Sequence, residues 1–300
     1  MARAHTSVRR RAGVLATATA AALALTGTTT ASAGPPVSAG PPVSAEPPLS
    51  GEAPASAATR PFWPTGPVEQ AGPTVPAGLL PVPASGRSRA PEGHDVSSHQ
   101  KSVNWEAARA EGARFVYIKA TESTDYRNPY FSGQYTGSRE AGLLRGAYHF
   151  ARPDRSSGAK QAGYFVRHGG DWRADGWTLP PALDIEYNPY SATHKCYGLG
   201  KARMVRWIRS FSDEIERKTG RRPVIYTTTQ WWKQCTGNSR AFSSSHALWI
   251  ARHGTSRPGA LPGGWRYWTF WQYGTRGTLP GDQNLFNGSV SRLRILARGR

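Results

Sequence analysis

Two carboxyl groups stand two residues apart at the end of a short apolar run. Asp184 follows Leu-Pro-Pro-Ala-Leu, and Glu186 follows Ile185. Successive side chains of a β-strand point to opposite faces, so the two acids share one face, about 6.6 Å apart along the strand. An Asn-Pro pair soon after Glu186 ends the strand, which places this acid at the carboxyl edge where α/β folds bind ligands. The pair is a candidate acid–base site, and the alternative is two ordinary acids at a solvated strand end.

Two further acids are expected near the same edge. Asp95 ends a predicted strand over 93–97, and Asp282 lies in a segment near the end of the chain. Carboxyl groups that converge repel one another and raise the pKa of at least one, which suits a general acid that must stay protonated. Such a set suits general acid–base chemistry, with Glu186 as the candidate proton donor because its side chain reaches further. Asp95 and Asp282 have an alternative role as helix or turn caps.

The elements that must position these acids alternate in type. Short apolar segments are separated by helix-like ones, which predicts βαβ units and a parallel sheet. Strands are predicted over 93–97, 115–121, 145–150, the segment bearing Asp184 and Glu186, 224–228, 247–251 and 268–273, and helices over 105–111, 130–141, 157–168, 200–219 and 290–297. The pattern predicts an α/β barrel that begins as β/α repeats and closes with strands joined by loops, with late helices missing and a turn around Asp282.

Eight sequence blocks along about 205 residues resemble those of the glycoside hydrolase family 25 lysozymes. They are His-Asp-Val-Ser-Ser-His-Gln (94–100), Phe-Val-Tyr-Ile-Lys-Ala-Thr-Glu (115–122), Gly-Ala-Tyr-His-Phe (146–150), Leu-Asp-Ile-Glu (183–186), Pro-Val-Ile-Tyr-Thr (223–227), Leu-Trp-Ile-Ala (248–251), Thr-Phe-Trp-Gln-Tyr (269–273) and Asp-Gln-Asn-Leu-Phe-Asn-Gly (282–288). The sequence departs from the family pattern at Lys101, Ser123 and Asn128, where a small residue, glycine and aspartate are usual. None of these is one of the four acids.

The resemblance implies a modified TIM-like barrel of five β/α units closed by three further strands. It also implies an N-acetylmuramidase (lysozyme, EC 3.2.1.17) that hydrolyses the β-1,4 bond between N-acetylmuramic acid and N-acetylglucosamine in peptidoglycan. Glu186 is then expected to donate the proton, while Asp184 orients the substrate's own 2-acetamido group for attack with retention. Asp95 as a direct nucleophile or charge stabiliser is the alternative. A non-catalytic wall-binding module and a chitinase-like glycosidase are the rival functions, but the longer Asp-rich run of chitinases is missing before Asp184.

Aromatic side chains on several predicted strands are candidate sugar contacts. Tyr148, Tyr226, Trp271 and Tyr273 could face the same barrel mouth, because aromatic faces stack on sugar rings and their polar edges form hydrogen bonds. Lys119 is expected to be a buried lysine paired with an acid at that mouth. His94 and His149 lack a third ligand at metal-site spacing, so we expect neither a metal nor a cofactor.

The first third of the chain has a different composition from the rest. Residues 1–33 have the charged, apolar and small-residue order of a secretory signal peptide, with cleavage expected after Ala33. Residues 34–90 are rich in Pro, Ala, Gly and Ser and repeat a proline-containing hexad three times, which is typical of a disordered spacer. The catalytic barrel is therefore expected over 91–300. No apolar run is long enough to span a bilayer. Together with the signal peptide this predicts a secreted protein, which we expect to be a monomer.

Charge and cysteine usage agree with export. From Pro91 onward the chain has 31 Lys and Arg against 16 Asp and Glu. This excess favours an anionic cell-wall polymer as a partner; nucleic acid is disfavoured because the basic residues form no dense run among aromatics. Simple solubility is the alternative explanation. Cys196 and Cys235 are the only cysteines, and an oxidising compartment predicts one disulfide between them.

Overall fold

The structure, a computed structural model, describes residues 90–299. Eight of its strands form a closed ring, in which seven run parallel and the last is antiparallel to both of its neighbours. The strands are β1 (Glu92–Val96), β2 (Phe115–Glu122), β3 (Tyr126–Arg127), β4 (Leu144–Phe150), β5 (Ala182–Asp184), β6 (Val224–Thr228), β7 (Leu248–Ala251), β8 (Phe270–Gly274) and β9 (Asp282–Phe286). The short β3 pairs only with β2 and lies outside the ring. Pairing of β1 with both β2 and β9 closes the barrel.

Each of the first five ring strands is followed by a helix. The helices are α1 (Trp105–Ala110), α2 (Phe131–Glu140), α3 (Gly158–Phe165), α4 (Lys201–Thr219), α5 (Thr229–Thr236) and α6 (Val290–Ala297). Strands β7, β8 and β9 are joined by loops, and α6 follows the last strand. The predicted barrel of five β/α units and three closing strands is therefore confirmed.

Two sequence predictions about the last third of the barrel are wrong. The helix α5 was not predicted, because its segment is rich in Thr and Trp, which have low helix propensity. The Thr228 side chain caps its first turn, and Trp231 and Trp232 are fully buried, so capping and packing override propensity. Asp282 begins strand β9 and not a turn; polar residues suggested a turn, but Gln283 and Asn284 are buried in the ring.

The barrel has an apolar interior and an apolar outer layer. Phe115, Tyr117, Trp249 and Phe270 fill the interior in one cluster. Leu183 and Ile185 belong to a second cluster outside the ring, together with the buried faces of α3 and α4. The alternation along β5 therefore turns Ala182 and Asp184 inward, as the sequence predicts.

Two of the three departures from the family pattern occur at left-handed backbone positions. Lys101 has φ of 50° and Ser123 has φ of 51°. Residues with a Cβ rarely adopt this region, which explains why a glycine or another small residue is usual there. Ser123 is buried, and its backbone N–H donates to the carbonyl of Phe150 at 3.2 Å. Both side chains lie in loops, and the four acids keep their strand positions.

A disulfide joins the loop after β5 to helix α5. It links Cys196 to Cys235, whose Cα atoms are 5.4 Å apart and which are separated by 39 residues in sequence. The predicted pairing is confirmed. The proposed signal peptide and nearly all of the proposed spacer lie outside the described residues. Across 90–299, no helix combines the length and the hydropathy needed to cross a membrane.

Candidate active site

The carboxyl ends of the strands surround a cleft of about 260 Å³ that contains all four predicted acids. Asp95 comes from β1, Asp282 from the start of β9, and these two residues are direct partners in the β1–β9 ladder. Asp184 ends β5, and Glu186 lies just beyond it, where the Ile185 N–H still donates to the Tyr226 carbonyl at 3.0 Å. The chain therefore brings acids that are up to 187 residues apart in sequence into one cleft.

Asp95 is held by two side-chain amides. Its Oδ1 accepts from Gln272 Nε2 at 2.9 Å and from Asn284 Nδ2 at 2.7 Å. Burial and the neighbouring Asp282 raise the pKa of Asp95 to about 8, although the two amide donors oppose that rise by favouring the ionised form. The amides are themselves fixed: Asn284 Oδ1 accepts from Trp249 Nε1 at 2.7 Å, and Gln272 Oε1 accepts from the Tyr226 hydroxyl at 2.9 Å.

The pKa values of Asp184 and Glu186 are raised by the same physical causes. Among the described residues, no side-chain amide donates to either carboxyl group. Burial, and then the charge of Glu186, raise the pKa of Asp184 well above its usual value. Burial, and then Asp282, raise the pKa of Glu186 to about 7. The Oδ1 atom of Asp184 is buried and has no hydrogen-bond partner in the described part of the chain. Glu186 can therefore hold a proton near neutral pH, and Asp184 has a free acceptor atom for a ligand.

Asp282 completes the group on the β9 side. Burial raises its pKa, and the nearby His253 opposes that rise. His253 Nε2 also lies 2.8 Å from Gln272 Oε1, the atom that accepts from the Tyr226 hydroxyl. Four acids in one small cleft cannot all be ionised at low cost, because each charge disfavours the next. The cleft therefore retains at least one proton at a pH where isolated carboxyl groups have lost theirs.

The structure places only half of the predicted aromatic set in the cleft. Tyr148 and Tyr226 line it, and burial raises the pKa of both phenols well above the usual value, so both hydroxyls are protonated. Trp271 and Tyr273 pack against the outer cluster. Period-two alternation along β8 explains this, because Gln272 between them points into the cleft. The sequence could not tell which of the two β8 faces was inward.

Lys119 lines the cleft and is paired with an acid, but with one that the sequence had not singled out. Its Nζ contacts Glu122 Oε2 at 2.7 Å and lies 4.8 Å from the centroid of the Phe150 ring. The charge of Lys119 lowers the pKa of both Asp184 and Glu186, which opposes the effect of burial. Lys119 therefore limits how strongly these two acids retain their protons.

The two histidines near these blocks have structural partners. His94 Nδ1 donates to the Pro280 carbonyl, and His149 contacts Thr121 Oγ1 at 2.8 Å and Gln161 Oε1 at 3.0 Å. Burial lowers the pKa of each to about 4. Within residues 90–299, no group of three or more His, Cys, Asp or Glu side chains is arranged to hold a metal ion.

Sequence reasoning missed the residues that hold the acids in place. Gln272, Asn284 and Trp249 all take part in the hydrogen bonds around Asp95. A usable indication was present: Gln272 and Asn284 are polar residues inside otherwise apolar strand segments, and a buried amide needs partners. Finding those partners required the ring closure, since Asn284 and Asp95 are 189 residues apart.

Comparison with known proteins agrees with this geometry. Residues 94–282 match the family model described as "Glycosyl hydrolases family 25". The chain is 48% identical over 211 residues to N,O-diacetylmuramidase of Chalaropsis sp, covering 69% of this chain and 99% of that protein. It is 47% identical to Lysozyme M1 of Streptomyces globisporus, covering 69% and 71%.

Solved structures give the same result. A muramidase from Acremonium alcalophilum superposes with a TM-score of 0.68 at 54% identity, covering 70% of this chain and 99% of that one. A bacterial lysozyme from Streptomyces coelicolor gives 0.68 at 45% identity, covering 71% and 99%. The sequence blocks, the barrel, the cleft acids and these similarities lead to one conclusion: the chain belongs to glycosyl hydrolase family 25 and is a glycoside hydrolase of the lysozyme type.

Proposed function

We propose that this protein is a secreted muramidase that hydrolyses the β-1,4 bond between N-acetylmuramic acid and N-acetylglucosamine in peptidoglycan. The names of the relatives, lysozyme and N,O-diacetylmuramidase, support this substrate. The observation that carries the chemistry is the buried Oδ1 of Asp184, which lacks a partner among residues 90–299 and lies in the same cleft as Glu186. An acceptor next to a proton donor is what a sugar with a 2-acetamido group requires.

In the first step Glu186 donates its proton to the glycosidic oxygen as the bond from that oxygen to the anomeric carbon breaks. The carbonyl oxygen of the substrate's own acetamido group forms a bond to the anomeric carbon. Asp184 and Glu186 are coupled, and in the reacting complex the proton is on Glu186, which leaves Asp184 ionised. The Asp184 carboxylate then accepts a hydrogen bond from the acetamido N–H and stabilises the positive charge of the resulting ring. Glu186, now ionised, takes a proton from water as the water opens that ring, which gives retention.

Direct attack by Asp95 is the competing route. Two amide donors favour the ionised form of Asp95, but burial and Asp282 outweigh them and raise its pKa to about 8. A nucleophile or a charge stabiliser must be ionised, so on this route Asp95 gives up its proton when the substrate binds. The same two donors occupy Oδ1, which fixes the carboxylate against β8 and β9. We therefore assign Asp95 and Asp282 to stabilising the positive charge that develops on the sugar, with Tyr148 and Tyr226 contacting the sugar from the cleft wall.

Mass spectrometry of the digestion products tests the substrate assignment. Incubation with purified peptidoglycan is expected to release disaccharide muropeptides with N-acetylmuramic acid at the reducing end, together with loss of wall turbidity. Chitin oligomers are the matched control, because they have the same bond and acetamido group but no lactyl group. Release of chitin fragments without muropeptides would instead identify a chitinase-like enzyme, and binding to walls without any release would identify a non-catalytic module.

We also propose that export removes residues 1–33 and that residues 34–90 act as a spacer between the wall and a monomeric barrel. The disulfide between Cys196 and Cys235 supports an oxidising destination. The mass of the exported protein is expected to begin at Gly34. A mature protein that still contains Met1, or a barrel that loses activity when the spacer is deleted, would contradict this assignment.

A further inference from the structure

The positive charge of the catalytic domain is concentrated in its last part. Residues 91–216 contain 17 Lys and Arg and 15 Asp and Glu, whereas residues 217–300 contain 14 Lys and Arg and one acid. That one acid is Asp282, which belongs to the cleft. The C-terminal part of the barrel therefore presents a surface with almost no acidic residue to neutralise it, and this asymmetry indicates an anionic partner for that side.

A groove on this basic side is separate from the active site. Its volume is about 750 Å³, and it shares no lining residue with the cleft. It lies along the loop that connects β7 to β8, where the barrel has no covering helix. Its lining includes three arginines, three aromatic residues and no acid: Arg252, Arg257, Arg266, Trp265, Tyr267 and Trp268.

The arginines of the groove are available to a ligand. Arg257 and Arg266 are exposed, and neither guanidinium has an ion-pair partner within the described residues. Arg252 Nη1 donates to the Pro258 carbonyl at 3.4 Å, and its other guanidinium nitrogens remain available. Planar guanidinium groups bind phosphate oxygens in pairs, so three of them along one groove match an anion repeated along a chain.

The aromatic residues of the groove distinguish between polyanions. Trp265 is buried and donates its Nε1–H to the His246 carbonyl at 2.8 Å, and Trp268 packs edge-on against Trp271. Only Tyr267, which is 68% exposed, presents a ring to solvent. Single-stranded nucleic acid needs successive aromatic faces for successive bases, and one exposed ring does not provide them. A flexible polymer with small polyol or sugar units between its phosphates fits better.

We propose that this groove binds a phosphodiester-linked anionic polymer of the bacterial wall, and that it holds the barrel on the wall while the cleft acts on the glycan. The phosphates contact Arg252, Arg257 and Arg266, and the intervening polyol or sugar units lie against Tyr267. The proline-rich segment of the chain itself is a weaker occupant, because residues 34–89 carry three acids and three arginines and so offer no net charge to the groove.

A calorimetric titration tests the proposal. The full secreted chain is titrated with soluble poly(glycerol phosphate) at low ionic strength. The double substitution Arg257→Gln with Arg266→Gln is expected to weaken binding roughly ten-fold or more, because each removes charge-assisted hydrogen bonds. The control is Arg276→Gln with Arg292→Gln, which removes the same charge from exposed arginines of the same basic part outside the groove. The control is expected to change affinity by about two-fold. Melting temperatures show whether all the variants are folded.

Four outcomes would contradict the proposal that the groove binds this polymer. Equal losses of affinity in the two double variants would mean that the polymer responds to the overall charge of the protein. If the wild type does not bind the polymer, the proposed ligand is wrong. Tighter binding of a single-stranded DNA oligonucleotide that depends on Tyr267 would assign the groove to nucleic acid, and saturation by a synthetic peptide of residues 34–64 in place of the polymer would assign it to the spacer. The titration does not involve catalysis, so its failure leaves the muramidase proposal intact.

Discussion

The two sides of the cleft hold their carboxyl groups by different means. On the β1–β9 side, Oδ1 of Asp95 accepts two amide hydrogen bonds that are themselves fixed by Trp249 and Tyr226. On the β5 side, Asp184 has a buried oxygen without a partner in the described chain. Burial raises the pKa on both sides, to about 8 for Asp95 and to about 7 for Glu186, so Glu186 exchanges its proton closer to neutral pH. On the first side, the oxygen that faces the amides has its hydrogen-bond partners within the protein. On the second side, Oδ1 of Asp184 is left to accept a hydrogen bond from the substrate. This difference supports the proposed roles, charge stabilisation on the first side and proton transfer on the second.

Glu186→Gln should give the largest effect, because it removes the only proposed proton donor while keeping size and polarity. We expect kcat on peptidoglycan to fall roughly 10³-fold or more, in the upper range for loss of a general acid. Single-turnover kinetics with a substrate bearing a good leaving group provide the control. That substrate needs little protonation, so its rate of bond cleavage should be much less affected. An equal loss on both substrates would remove the assignment of Glu186 as the acid.

Asp184→Asn tests the partner of the acetamido group. The amide can no longer stabilise positive charge, so we expect about a 10²-fold loss of activity. A thiazoline analogue of the cyclised acetamido intermediate should bind the wild type tightly and bind this variant weakly. If the analogue fails to inhibit the wild type and a glycosyl adduct forms on Asp95, the substrate-assisted route is wrong and Asp95 is the nucleophile.

Gln272→Leu removes one of the two amide donors to Asp95 and leaves all four acids of the cleft in place. Loss of one donor should raise the pKa of Asp95 further, because the hydrogen bond from Gln272 favours the ionised form. The pKa of Asp95 already lies at about 8, so we expect activity to fall about ten-fold near pH 7, where little of Asp95 is ionised, and less near pH 9, where more of it is ionised in both proteins. A uniform loss across the pH range would indicate a purely structural role for Gln272.

The shifted acids should also make stability depend on pH. Burial raises the folded-state pKa of Glu186 to about 7, whereas the unfolded chain has an ordinary value near 4.5. The folded state therefore binds more protons between these limits, and the stability contributed by this group is present below pH 4.5 and lost as pH rises through 7. At pH 8 Glu186→Gln should stabilise the domain by on the order of 1–3 kcal/mol relative to the wild type. Urea unfolding at pH 4.5, where the difference should vanish, is the control.

The alternation of segments predicted the β/α repeats, and the family resemblance supplied the closure of the ring by three further strands. The four acids could be placed in one cleft because inward positions alternate along each strand and strand ends meet at one edge. Periodicity failed where both faces of a strand are apolar or aromatic. Along β8, Trp271 and Tyr273 are aromatic but point outward, and Gln272 is the inward residue. The choice between the two faces depends on how β8 pairs with β7 and β9, and that register is a property of the closed barrel and not of the segment.

Lys119→Met should have the smallest effect on activity. It tests whether the charge of Lys119 acts on the β5 side of the cleft and not on the β1–β9 side. Lys119 lowers the pKa of Asp184 and Glu186, whereas it is not among the causes that shift the pKa of Asp95. Without this charge the pKa of Glu186 should rise above about 7, so the protonated, active form persists to higher pH. The alkaline limb of the activity profile should therefore move upward, with about a two-fold gain at pH 8.

The matched control for Lys119→Met is Lys160→Met, which removes the same charge from an exposed position on α3 outside the cleft. Its alkaline limb should remain where the wild type has it. A limb that stays in place or moves downward in Lys119→Met would contradict the prediction, because removing Lys119 also leaves the charge of Glu122, whose Oε2 lies 2.7 Å from Nζ, uncompensated. Glu122→Gln is the opposite test, because freeing Lys119 from that pair should lower the pKa of Glu186 and move the limb to lower pH.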